Sequence, residues 1–70
     1  MEKQLIAKWE TRGGGRYIEL YKDGLGYDYN TESGGGVLPR LASDFDAIFY
    51  MESSTVNVLR SDFPSVKRVK

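Results

Sequence analysis

Apolar and polar residues alternate along Leu5-Ile6-Ala7-Lys8-Trp9-Glu10, along Tyr17-Ile18-Glu19-Leu20-Tyr21 and again from Leu25 to Tyr29, the period of strands buried on one side. Between them lie Gly13-Gly14-Gly15 and Asp23-Gly24, so the first half of the chain predicts a three-stranded antiparallel meander. Asp-Gly supplies positive φ at the centre of a two-residue hairpin turn, which would pair Lys22 with Leu25, Leu20 with Tyr27 and Ile18 with Tyr29. A two-residue turn at Gly13-Gly14 would set Thr11 against Arg16, Trp9 against Ile18, Ala7 against Leu20 and Leu5 against Lys22. The two turns agree in placing Leu5, Ala7, Trp9, Ile18, Leu20, Leu25, Tyr27 and Tyr29 on one face. A turn over the whole glycine triplet would oppose Trp9 to Glu19 and scatter that set.

The other face then carries Ile6, Lys8, Glu10, Tyr17, Glu19, Tyr21, Asp28 and Asn30, with Glu19 between Lys8 and Asp28. Residues 31–38, with Gly34-Gly35-Gly36, read as a loop. Ser43 followed by Asp46 forms a capping-box-like start to a helix, and Phe45, Ile48 and Phe49 supply a stripe to lie on the apolar face of the sheet. The helix should end near Met51 to Ser53. Thr55-Val56-Asn57-Val58-Leu59 reads as a short β-branched strand, and Ser65 to Val69 as a final edge strand after Pro64. A second helix from Ser54 to Asp62 is the competing assignment. The expected fold is a single α+β domain over residues 1–70: an antiparallel sheet of four or five strands with one helix packed on one face.

Composition narrows the chemistry. Seventy residues bury one thin core, and the absence of His and Cys removes the usual near-neutral proton shuttle, the commonest metal ligand, thiolate chemistry and disulfides. Glu19 and Asp28 are the nearest thing to paired carboxylates, yet they stand on an open face with no cleft to shift their titration. Asp28 to Gly34 alternates oxygen side chains as a calcium loop does, but its glycine comes one place late and Pro39 stands where a bidentate Glu is needed. Neither glycine triplet has the Lys-Ser or Lys-Thr of a phosphate loop. The chain is therefore expected not to be an enzyme and to need no cofactor or metal. The first residues lack a signal-peptide core and no apolar run approaches a membrane span, which predicts a soluble, cytoplasmic protein without membrane contact.

The ten basic and ten acidic residues are unevenly spread. Residues 1–16 sum to +2 and residues 63–70 to +3, while residues 19–62 sum to −5. The acidic middle includes a sheet face with Tyr17, Glu19, Tyr21 and Asp28, joined by Glu10 and Ile6, a group of rigid aromatic anchors with a charged rim of the kind that binds a larger protein. Arg12-Gly-Gly-Gly-Arg16 and the tail Lys67, Arg68 and Lys70 give the alternative, single-stranded nucleic acid, with the exposed tyrosines as stacking platforms. Glu19 and Asp28 oppose phosphates on that face. A third alternative is a structural subunit of a larger assembly, pairing through the edge strand near Val66 to Val69.

In size, in its meander-plus-helix layout and in its lack of catalytic residues the chain resembles small phage and mobile-element accessory proteins, including anti-CRISPR inhibitors. The resemblance spans the whole chain in style and carries no individual residue. It implies a compact domain that occludes a larger host protein through an acidic or aromatic surface, in the host cell cytoplasm if phage-encoded.

Overall fold

Residues 2–70, described by a computed structural model, form an antiparallel sheet of five strands in the order β4-β3-β2-β1-β5, with one bent helix on its apolar face. The strands are β1 (Gln4–Glu10), β2 (Tyr17–Asp23), β3 (Gly26–Thr31), β4 (Gly34–Val37) and β5 (Lys67–Arg68), and the helix comprises α1 (Asp44–Ser53) and α2 (Thr55–Asp62). The predicted α+β class, meander and helix are all present. No helix among the described residues is long and apolar enough to cross a membrane.

The β1–β2 register is the expected one from Ala7 to Glu10, with Trp9 opposite Ile18 and Ala7 opposite Leu20. Arg12–Gly15 forms the connection: Thr11 N donates to Arg16 O at 2.9 Å, Arg16 N donates to Thr11 Oγ1 at 3.1 Å, and Gly13 and Gly14 take the positive φ that the reversal needs. Before Ala7 the ladder is interrupted. A bulge at Ile6 shifts the register by one, so Leu5 pairs with Tyr21 rather than Lys22. The two residues thereby exchange their expected faces: Ile6 packs against the core, and Leu5 joins the outer row.

The β2–β3 hairpin turns at Gly24-Leu25 rather than Asp23-Gly24, pairing Asp23 with Gly26, Lys22 with Tyr27, Leu20 with Tyr29 and Ile18 with Thr31. Only Gly24 has positive φ, which suits a type II′ turn with glycine at its first central position. The register moves by two, so faces are kept, but Leu25 becomes the turn tip and is 93% exposed. The segment expected to be a loop contains β4. A Cβ on Gly35 would collide with the Tyr29 carbonyl oxygen, and one on Gly36 would come within 3.1 Å of the Tyr29 ring, so the glycines let this strand lie close against β3.

Ser43 caps α1, its Oγ accepting from Asp46 N at 3.2 Å. The helix bends at Ser54, then continues where a strand was expected: Val58 N donates to Ser54 O at 2.9 Å, and Val56 is buried with Leu59 and Phe63 packing beside it, a helical rather than an alternating spacing. The core comprises Ala7, Trp9, Ile18, Leu20 and Tyr27 of the sheet, Ala47, Met51 and Val56 of the helix, and Leu38 and Val66.

Candidate functional site

Among the described residues no helix is paired with the outer face of the sheet, and the register arranges its side chains in cross-strand rows. Leu5, Tyr21, Asp28 and Val37 form one row; Lys8, Glu19, Asn30 and Gly35 form the next; Lys67, Glu10 and Tyr17 form the third. Thus Tyr17, Glu19, Tyr21, Asp28 and Glu10 share one surface, and Ile6 does not, because the bulge turns it to the core. Glu19 stands between Lys8 and Asn30, and Asp28 beside Tyr21, because of the shifted β2–β3 turn.

Most charges on this face are already engaged. Lys8 Nζ lies 3.7 Å from Glu19 Oε2 and 5.4 Å from the centre of the Tyr17 ring, and Tyr21 Oη donates to Glu19 Oε1 at 3.1 Å. Lys3 Nζ approaches Asp28 Oδ2 at 2.7 Å; this bond and the Asp28 charge raise the lysine above its ordinary value. Burial, and then the bond to Glu19, push the Tyr21 phenol up. Lys67 lies opposite Glu10 in the register, so Glu10, Glu19 and Asp28 each have a lysine nearby or in contact.

The basic residues divide. Arg16 Nε lies 2.5 Å from Glu32 Oε2, and its guanidinium lies 5.1 Å from the Phe63 ring centre. The backbone N–H of Tyr17, with Arg16 adding to it, lowers the Glu32 carboxyl. Arg12 is exposed, and its N–H donates to Ser65 Oγ at 3.4 Å, which draws the glycine turn toward the C-terminal segment. Lys67, Arg68 and Lys70 are exposed on or beside β5, so Arg12 and the tail share one end of the molecule, while Arg16 is committed to Glu32.

A cleft of about 430 Å³ opens beside Arg16 and Glu32, with Ile18, Val58 and Leu59 as apolar walls and Asp62 on its rim. Two of its hydroxyls are occupied: Thr31 Oγ1 donates to Gly34 O at 2.5 Å, and Ser54 Oγ to Tyr50 O at 2.6 Å. Two of its ionised groups, Arg16 and Glu32, pair with each other.

The feature that the apolar pattern misplaced is on α1. Phe45 and Phe49 were expected against the sheet; they are 76% and 66% exposed, one turn apart, and Ala47 and Met51 are buried instead. Two polar bonds tie the two ends of the helix to the sheet. Tyr27 Oη donates to Asp44 Oδ1 at 2.6 Å, and Trp9 Nε1 donates to Glu52 Oε2 at 2.7 Å. Both aromatics are core residues whose donors need acceptors, and Asp44 and Glu52 supply them on the side of the helix that buries Ala47 and Met51. The bond to Asp44, and then burial, push the Tyr27 phenol up to about 12. Asp44 is lowered by Tyr27 first, with Lys22 at 3.5 Å adding to it.

No protein-family model matches the sequence, and comparison with curated proteins and with solved structures finds no match.

Proposed function

We propose that the chain is a non-enzymatic protein-binding module that occludes a larger protein, with Phe45 and Phe49 as its anchors. The exposure of two phenylalanines one helical turn apart carries this reading. Isolated apolar residues are ordinary on a surface, but an i, i+4 aromatic pair is the arrangement with which a helix fills an apolar groove. Seating each ring would contribute about 1.5–3 kcal/mol. α1 has no basic residue, and Asp46 adds an acid beside the rings while Asp44 and Glu52 are held by Tyr27, Lys22, Trp9 and Arg60, so the fitting partner offers an apolar groove with at most a local Lys or Arg at its rim. The outer sheet face, with Tyr17 and Tyr21, is a secondary contact in this reading.

Affinity capture from the native host with three baits tests it. Phe45→Ala/Phe49→Ala should lose the partner retained by the unaltered chain, and Tyr17→Ala/Tyr21→Ala should weaken but not abolish capture. Retention by the double phenylalanine variant, with circular dichroism showing an intact fold, overturns the assignment to α1.

The gathering of Arg12 with Lys67, Arg68 and Lys70 favours single-stranded nucleic acid as the second reading. An oligonucleotide titration separates the two: binding through these cations weakens steeply as salt rises, and no binding even at low salt removes that reading.

A further inference from the structure

The two edges of the sheet are finished differently. β5 is a two-residue strand of Lys67 and Arg68, followed by Lys70, and its cations guard that edge against another strand. β4 consists of Gly34, Gly35, Gly36 and Val37, without charge or proline. Leu38 N donates to Tyr27 O at 3.0 Å, which makes this a hydrogen-bonded pair of the β3–β4 ladder. Antiparallel alternation then directs the backbone of Gly36 and Gly34 toward β3 and leaves the N–H and C=O groups of Gly35 and Val37 facing out of the sheet.

We propose that this edge is self-complementary, and that a second copy of the chain adds its own β4 to it antiparallel, about a two-fold axis normal to the sheet. Such an axis keeps each face continuous, so paired residues must lie on the same side of the strand. Pairing Gly35 with Val37 of the second copy, and Val37 with its Gly35, places Gly36 on the axis and gives every outward-facing group of these residues a partner. On the outer face Val37, 83% exposed, then lies over a glycine that presents no side chain to clash with it. On the core face Gly36 meets Gly36, each already shielded by a Tyr29 ring. Asn30 of one copy continues the row of Val37 in the other, so no two like charges meet across the seam. A second copy in this register meets every outward-facing backbone group with a partner and leaves no side chain against the shielded Gly36, and the chain's net charge of zero does not oppose it. The edge lies apart from the Phe45 and Phe49 surface and does not depend on that reading.

Sedimentation of the intact chain over a wide concentration range, with amide exchange followed by NMR, tests the pairing. The mass should rise toward twice that of the monomer. Exchange at Gly35 and Val37 should slow with concentration, by about twofold when half the chains are paired, while Gly36 and Leu38 stay protected throughout. Val37→Lys should remain monomeric at concentrations where the unaltered chain dimerises, with an unchanged circular dichroism spectrum. A monomer up to millimolar concentration overturns the proposal, as does a dimer in which Gly35 and Val37 exchange at the monomer rate or one that Val37→Lys leaves intact. Protection of these amides only after another protein's strand is added also overturns it.

Discussion

Trp9 Nε1 donates to Glu52 Oε2 at 2.7 Å, and the other oxygen of that carboxylate accepts from Arg60 Nη1 at 3.2 Å. One side chain thus joins β1, α1 and α2. Glu52→Ala leaves the donor of a fully buried indole without an acceptor, and the expected loss is about 1–3 kcal/mol. Glu52→Gln keeps an acceptor oxygen and should cost less. Urea unfolding followed by the fluorescence of the one tryptophan measures both; equal stability of Glu52→Ala and the unaltered chain would contradict a structural role for the bond.

The Tyr27–Asp44 bond links stability to pH at both extremes. The tyrosine titrates near 12 in the folded chain against about 10 unfolded, so its contribution is complete below about pH 10 and is lost as pH climbs toward 12. Asp44 is lowered by folding, so its contribution is present above the unfolded carboxyl value of about 3.9 and disappears as pH falls through the folded value. Of the five tyrosines, Tyr27 should be the last to ionise in an ultraviolet absorbance titration. In Asp44→Ala its titration should return toward the ordinary range, and the alkaline stability plateau should end earlier.

Phe45→Ser/Phe49→Ser should change folding stability by less than about 0.5 kcal/mol per site, since neither ring is in the core. Met51→Ala, at a fully buried position, should cost about 2–5 kcal/mol. Thermal or urea denaturation of the two variants checks the rotation of α1 directly. The reverse order of sensitivity would mean that the phenylalanines face the sheet.

Gly35→Ala should be more damaging than Gly36→Ala. At position 35 the new methyl meets backbone, the Tyr29 carbonyl, which cannot move without breaking the β3–β4 ladder. At position 36 it meets the far part of the Tyr29 ring at 3.1–3.3 Å, and a small ring displacement relieves it. Amide exchange at Leu38, whose N–H bonds to Tyr27 O, reports detachment of β4 and should accelerate chiefly in Gly35→Ala.

The meander and the Ser43 cap were legible because each rests on local chemistry: alternating burial, glycine at reversals, a hydroxyl three residues before a free N–H. The bulge at Ile6 was not, since Leu5 and Ile6 are both apolar and either satisfies the core face. Val56 and Val58 suggested a strand by their branching, yet packing selected Val56, Leu59 and Phe63 at helical intervals. The outward setting of Phe45 and Phe49 was hidden for a different reason. Hydrophobicity alone places them inward, whereas the buried face of α1 takes Ala47 and Met51 together with the Asp44 and Glu52 acceptors that Tyr27 and Trp9 require. The outer-face residues were identified except that Leu5 takes the place of Ile6, and Lys8 beside Glu19 was legible; the Lys3–Asp28 pair was not, because the two are remote in sequence.

The strand order also sets an order of events in folding. From β1 to β4 every strand lies beside its sequence neighbour, and the short reversals can close on the roughly 1–10 μs timescale of isolated hairpins. β5 alone returns to the start of the chain, and the Trp9–Glu52 bond spans 43 positions. Those closures carry the largest loop entropy and should complete last. The only indole sits opposite Ile18 in the first hairpin and also reaches Glu52 on the helix, so its fluorescence should change both as that hairpin forms and as the helix closes over it.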